Sequence, residues 1–187
     1  MSTYPHFFSF HGFYNETAGD APPGSTLVEV GTYCGASLIH LANGTKDKGC
    51  RVVGVDWCRG SKEFATVHGH EHTAYWTEPG KLAGHLMKNI VESGLDIDLI
   101  VTKSWDGARY FLDGSLWFVF LDADHTRESV TKDIAAWWPK VQSGGRLSGH
   151  DYETGMYPGV RQAVDEFVAA ECLGLRVDGC CWEVRKP

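Results

Sequence analysis

Short apolar runs of strand length alternate along this chain with segments whose apolar residues recur at helical spacing, and that alternation restricts the fold to a sheet flanked by helices. Strands are predicted near 26–31, 51–56, 97–102, 116–122 and 145–150, followed by a closing pair near 175–178 and 180–185. Between them, Val130, Ile134, Trp137, Trp138 and Val141 form one helical stripe, and Val160, Val164, Phe167 and Val168 another. Such stripes are core faces. Thr126 is placed to cap the first of these helices, and Pro139 with the Ser-Gly-Gly at 143–145 to end it. The expected class is α/β: a mostly parallel sheet with helices on both faces. With 187 residues and 43% apolar content, one compact domain can bury its core without cross-links. Residues 1–25 are rich in aromatics and close on "APPGS", so they read as an N-terminal lid or packing arm ahead of a domain spanning 26–187.

Several classes of protein are disfavoured. The six cysteines never form a CxxC pair, so neither a zinc knuckle nor a dithiol redox motif is spelled. The opening "MSTYPHFFSFHGFYN" lacks the basic start and unbroken apolar stretch of a secretory leader, and no run reaches membrane-spanning length. The expectation is a cytoplasmic protein, with reduced thiols and no membrane partner. A net charge of −7 argues against a nucleic-acid partner, whose binding rests on neutralising many phosphates. A small molecule or a glycan is the expected partner, with a homodimer as a further expectation.

The stretch "LVEVGTYCGAS", residues 27–37, is an apolar strand that breaks into a turn carrying Gly31 and Gly35 before "ASLIHLA" resumes with helical spacing. A strand–loop–helix of this kind presents backbone N–H groups at a helix start, where a ligand can sit; a bare turn is the plainer reading. A dinucleotide fingerprint would require glycines at 31, 33 and 36, and Tyr33 and Ala36 occupy two of those places. Downstream, "VVGVDW" ends a strand on Asp56, an acid able to accept both hydroxyls of a ribose. Together these features suit a nucleoside without a pyrophosphate.

These residues carry a resemblance. "VEVGTYCGAS" is similar to the first motif of the catechol-type O-methyltransferases, and "LDADHTRESVTKDIAAWWPKVQSGGRLSGHDY" is similar to the sugar O-methyltransferases, so the chain from about residue 24 resembles a class I S-adenosylmethionine-dependent methyltransferase. The resemblance implies a Rossmann-like seven-stranded sheet whose last two strands form an antiparallel hairpin, here "LRVDGCCWEVRK". It implies that Glu29, Gly31, Gly35 and Ser37 face the methionine end of the cofactor. Asp56 and Trp57 would then bind its ribose side, and Ser104 and Trp105 would lie beside the adenine, although Trp105 reads equally as a core aromatic.

A second constellation gathers at the strand ends. "FVFLDADH" closes the fourth strand with Asp122, Asp124 and His125, and "RLSGHDY" closes the fifth with His150 and Asp151. That edge is where open α/β sheets bind ligands. In the catechol-type pattern an aspartate ends the fourth strand, a lysine base follows three places on, and adjacent metal ligands end the fifth. The matching positions here are Asp122, which would also touch the cofactor, then His125, then His150 and Asp151. Histidine thus stands for lysine at 125 and for a carboxylate at 150. The resemblance implies Asp122 and His125 as catalytic residues, with Asp122, His150 and Asp151 holding a divalent metal, Mg²⁺ or the softer Mn²⁺. Plainer readings are that Asp124 caps the following helix and that His150 hydrogen-bonds within the sheet edge. "HGHEH" at 68–72 reads as a loop over the acceptor pocket, because no helix fixes its ligands on one face.

The implied chemistry is transfer of a sulfonium methyl group to a hydroxyl, which needs in-line alignment and a base. Aliphatic hydroxyls need that help more than phenols, so a sugar or polyol is the favoured acceptor. A metal-independent enzyme relying on His125 and His150, and a non-catalytic cofactor-binding module, are the alternatives.

Overall fold

The computed structural model describes residues 8–60, 78 and 80–187. The segment 68–72 lies outside the described residues. Seven strands form one sheet: β1 (Thr26–Val30), β2 (Arg51–Asp56), β3 (Ile97–Val101), β4 (Leu116–Leu121), β5 (Val141–Gly149), β6 (Leu175–Asp178) and β7 (Cys181–Arg185). Their order is β3-β2-β1-β4-β5-β7-β6. The first five strands pair in parallel, and β7 runs antiparallel to both β5 and β6. This is the Rossmann-like arrangement that the sequence pattern and the resemblance led us to expect.

Six α-helices accompany the sheet among the described residues: α1 (His11–Asp20), α2 (Ala36–Thr45), α3 (Lys81–Ser93), α4 (Ser104–Gly107), α5 (Arg127–Trp137) and α6 (Pro158–Glu171). Side chains alternate across a strand, so each central strand feeds two cores. In β4, Val119 and Leu121 pack with Val130, Ile134, Trp137 and Val164 on the α5/α6 face. Phe118 and Phe120 pack on the opposite face with Tyr14, Leu38 and Leu41. Every residue of β4 is buried, as a central parallel strand covered on both faces requires.

Two local features depart from the expected boundaries. The α5 stripe stops at Trp137, and Val141 is the first residue of β5, because Pro139 cannot continue the helix and the chain turns through a 3₁₀ segment, Trp138–Lys140. The Ser-Gly-Gly is not a helix terminator but an irregularity inside β5: Leu116 pairs with Val141 while Phe118 pairs with Arg146. Lys186 pins this corner, its Nζ donating to the carbonyls of Trp138 at 2.9 Å and Val141 at 2.8 Å. At the other end of the chain, α1 buries Phe13, Tyr14, Thr17 and Ala18. Lys48 caps it, donating to the Ala18 and Ala21 carbonyls at 2.7 and 3.0 Å.

The parallel core places the ends of β1, β2, β4 and β5 along one edge. Gly31, immediately after β1, has φ +89°, and a Cβ there would lie 2.0 Å from the Asp122 carbonyl oxygen. Only glycine permits the backbones after β1 and β4 to approach so closely. No described helix is long and apolar enough to cross a membrane.

Candidate active site

A cavity of about 490 Å³ opens along that edge, within the range of small-molecule sites. Its floor is the glycine turn: Gly31, Thr32, Tyr33 and Ser37 line it, with Asp56 and Trp57 from the end of β2. Lys103, Ser104 and Trp105 close one side, while Asp122, His125, His150 and Asp151 line the other with Phe8, Phe10, Met156 and Tyr157.

Asp56 organises the turn. Its Oδ2 accepts the backbone N–H groups of Thr32 at 2.8 Å and Tyr33 at 3.0 Å, and its Oδ1 accepts that of Cys58 at 2.7 Å. A carboxylate offers about four acceptor positions, and these three donors take most of them. Two of the turn's own N–H groups, those of Thr32 and Tyr33, are correspondingly directed at Asp56. Burial raises the Asp56 pKa, against the three backbone donors that lower it. Trp57 is 41% exposed at the rim, its indole N–H donating to the Gly60 carbonyl at 2.9 Å.

Glu29 and Gly35 stand apart from the cavity lining. Alternation along β1 turns Glu29 to the α1/α2 face, where it is 1% exposed and accepts from Tyr14 Oη at 2.7 Å and Ser37 Oγ at 2.8 Å. Burial pushes its pKa up to about 8, although both hydroxyls act to lower it. Glu29 therefore supports the turn from beneath and ties α1 to α2. Gly35 precedes α2 with φ +84°, and a Cβ there would meet Leu86 at 2.9 Å. Ser104 and Trp105 both lie at the cavity wall, with Lys103 and Lys132 Nζ 5.7 and 5.3 Å from the Trp105 ring centre; Trp105 is a wall residue rather than a core aromatic.

At the other end, Asp122, His125 and Asp151 each present a ligand atom within 4.8 Å of the others. His125 Nε2 lies 3.0 Å from Asp151 Oδ2 and 3.6 Å from Asp122 Oδ1. Its ring stacks on Tyr157 with centroids 4.1 Å apart. Burial disfavours the imidazolium, but the flanking Asp122 and Asp151 carboxylates outweigh it and raise the His125 pKa to about 10. At a helix start the dipole opposes an imidazolium by only about 0.3–1 kcal/mol, which the nearby carboxylates overcome. In the metal-free chain the flanking carboxylates thus favour the imidazolium form of His125.

The sequence names His150 rather than His125 as the third ligand; among the described residues His125 is the one that joins the two carboxylates within 4.8 Å, and His150 flanks them. Its Nδ1 lies 3.2 Å from Asp151 Oδ2, and its ring packs 4.8 Å from Phe10. Burial acts to lower its pKa, yet Asp151 and Asp122 shift it upward overall. The Asp151 carboxyl is held well below the usual range by His125 and His150, despite burial. Asp151 also has φ +62°, a left-handed conformation uncommon for a side-chain-bearing residue and concentrated at functional sites. Asp124 starts the next helix, its Oδ1 accepting from Thr126 N–H at 3.0 Å and Thr126 Oγ at 2.6 Å. Thr126 in turn caps α5, its Oγ accepting from Ser129 N–H at 3.3 Å.

Residues that sequence reasoning did not single out include Phe10, Tyr14 and Tyr157, because their roles arise from contacts between distant segments. The aromatic density of the first fifteen residues was the available signal.

A glycine turn with an acid on the next strand, above a carboxylate–histidine cluster on a seven-stranded sheet of this order, defines a class I S-adenosylmethionine-dependent methyltransferase. A family model described as "Methyltransferase domain" matches residues 28–152, and the chain belongs to that family. The chain is similar in fold to the O-methyltransferase NovP, at 21% identity over 94% of this chain and 78% of that one, with TM-score 0.65. It is also similar to the calicheamicin methyltransferase CalS11, at 16% identity over 94% and 76%, with TM-score 0.69. A third such structure is the O-methyltransferase TomG from Streptomyces achromogenes, described in complex with S-adenosylmethionine, at 14% identity over 95% and 79%, with TM-score 0.67.

Proposed function

We propose that this methyltransferase acts on oxygen, transferring the methyl group to a hydroxyl of a small molecule, most suitably a sugar or other polyol, with the help of a divalent cation. The observation that carries the reading is the Asp122–His125–Asp151 cluster, which shares one cavity with the glycine turn and Asp56. Ribose and methionine would occupy the Gly31, Ser37 and Asp56 side, and the acceptor the side walled by Phe8, Phe10, Met156 and Tyr157. Aromatic walls suit the C–H faces of a sugar ring as they suit a flat phenol. The sugar choice rests on the demanding pKa of an aliphatic hydroxyl and on the similarity to CalS11, described as a TDP-rhamnose 3'-O-methyltransferase.

His125 is the residue placed to take the proton of the acceptor hydroxyl at Nε2, with Asp122 and Asp151 stabilising the imidazolium that results. Because its pKa lies near 10, only a minor fraction is neutral near pH 7. With His125 Nε2 reserved for that proton, the Asp122 and Asp151 carboxylates are the oxygen donors that would hold Mn²⁺ or Mg²⁺. Such an ion would orient an acceptor hydroxyl and lower its pKa.

The test is methyl transfer from S-adenosylmethionine to a panel of nucleotide sugars, free polyols and catechols, with EDTA and Mn²⁺ add-back. Turnover of a sugar or polyol, lost in EDTA and restored by Mn²⁺, is expected. Full activity in EDTA would overturn the metal, and turnover of catechols alone would replace the sugar by a phenol.

A further inference from the structure

Tyr14, the most deeply buried residue of α1 at 0% exposed, joins two parts of the cavity wall that are far apart in the sequence. Its Oη donates to Glu29 Oε2 at 2.7 Å, and Ser37 Oγ donates to the other oxygen of that carboxyl at 2.8 Å. Ser37 lines the cavity on the side of the glycine turn. In the opposite direction the Tyr14 ring meets that of Phe10 edge-on, with centroids 5.0 Å apart, and Phe10 lines the cavity beside His150. None of the residues of α1 itself lines the cavity.

Left to its own sequence, α1 is a weak helix. Its ten residues fall short of the length at which isolated helices persist, and its N-cap, Phe10, makes no side-chain hydrogen bond. Gly12 and Gly19 weaken it further, and packing requires neither, because a Cβ at each would meet nothing within 4 Å. The C-terminal half is pinned by charge: Glu16 Oε2 accepts from Arg176 Nη2 at 2.7 Å, Asp20 pairs with Arg146, and Lys48 caps the end. The N-terminal half is held by ring contacts, by the Tyr14–Glu29 hydrogen bond, and by Asn15, whose Oδ1 lies 2.8 Å from His40 Nε2. Its order therefore depends on Glu29 being held in place, and Ser37 is the residue that holds it from the cavity side.

We propose that Tyr14 is a positioning residue that ties the Phe10 wall to Ser37 through Glu29, so that a cofactor ordering the Ser37 side also orders the start of α1 and completes the acceptor wall. Such a coupling is reciprocal, so an acceptor that settles against Phe10 strengthens cofactor binding by the same factor. The proposal rests on the reading of the cavity as an S-adenosylmethionine site with its methionine end toward Ser37.

The experiment follows backbone hydrogen exchange by mass spectrometry over residues 10–17, with and without saturating S-adenosylhomocysteine, in the wild type, Tyr14→Phe and Ser37→Ala. In the wild type the ligand should slow exchange there by at least about threefold, as one net hydrogen bond can. Tyr14→Phe keeps the ring and removes the hydroxyl, so it should bind the ligand within about threefold of the wild type while the slowing disappears. Ser37→Ala cuts the same link at its other end and should also lose the slowing, at a ligand concentration raised to saturate it. A merely structural role for Tyr14 would speed exchange equally in the free and bound states and leave their ratio intact. That result, slowing that survives either substitution, or wild-type exchange that ignores bound ligand, overturns the proposal. Failure of the wild type to bind S-adenosylhomocysteine would instead overturn the cofactor reading, and this proposal with it.

Discussion

His125 Nε2 lies 3.0 Å from Asp151 Oδ2 although the two residues come from different strand ends, and this contact sets the charge of the candidate base. The pKa of about 10 in the folded chain compares with an ordinary value near 6.5 in the unfolded one. A raised folded value means that the stabilisation is fully present below about 6.5 and is lost as pH rises toward 10. The stability difference between the metal-free wild type and His125→Gln should therefore shrink by roughly 4 kcal/mol between pH 6 and 10. Denaturant melts at those pH values check this; a difference independent of pH would show that the imidazolium is not held.

The same residue makes a kinetic prediction. Since the neutral imidazole is the competent base, turnover should climb with pH well past 7. His125→Ala should lower turnover by roughly 10²–10⁴-fold, with S-adenosylhomocysteine affinity almost unchanged. A wild-type rate that levels off near pH 7, or an unaltered acid limb in the variant, would assign proton removal to another group, His150 being the nearest alternative.

Asp56 should behave as both a binding and a structural residue. Asp56→Asn can no longer accept all three backbone donors, and each buried N–H left unpaired costs about 1–3 kcal/mol. Both thermal stability and S-adenosylhomocysteine affinity are expected to fall. Intact stability with lost affinity would mean that the turn holds its shape without the carboxylate.

Glu29 is expected to respond to pH independently of catalysis. Its folded pKa of about 8 stands above an ordinary value near 4.3. The protonated acid is therefore the stabilising form: its contribution is complete below about 4.3 and disappears as pH rises through 8. Glutamine imitates the neutral acid, so Glu29→Gln should gain stability relative to the wild type between pH 5 and 8.5, read as a widening difference in melting temperature. A constant difference would place Glu29 among ordinary ionised carboxylates.

Gly31→Ala should be severely disruptive, since φ +89° and a 2.0 Å approach to the Asp122 carbonyl leave no room for a methyl group. Loss of soluble expression, or a destabilisation above about 3 kcal/mol, is expected. A variant as stable as wild type would show that the ends of β1 and β4 can separate freely.

The sequence by itself determined the layering of this protein. Apolar runs such as "LWFVFL" and the helical stripe through Val130, Ile134 and Trp137 are local periodicities, and they locate β4 and α5 because each element's own residues decide which of its faces is apolar. The glycine turn and the acids ending β2, β4 and β5 were legible for the same reason, each being a short motif at the end of a strand. The tertiary structure alone decided what those residues do. It turned Glu29 beneath the turn toward Tyr14, filled most of Asp56 with backbone donors, and brought Asp151 rather than the dipole of α5 into control of His125. It also made Val141 a strand residue, because Pro139 broke the helix before the apolar period had run out. Protonation states and hydrogen-bond partners depend on distances between segments far apart in the chain, and no local pattern encodes those distances.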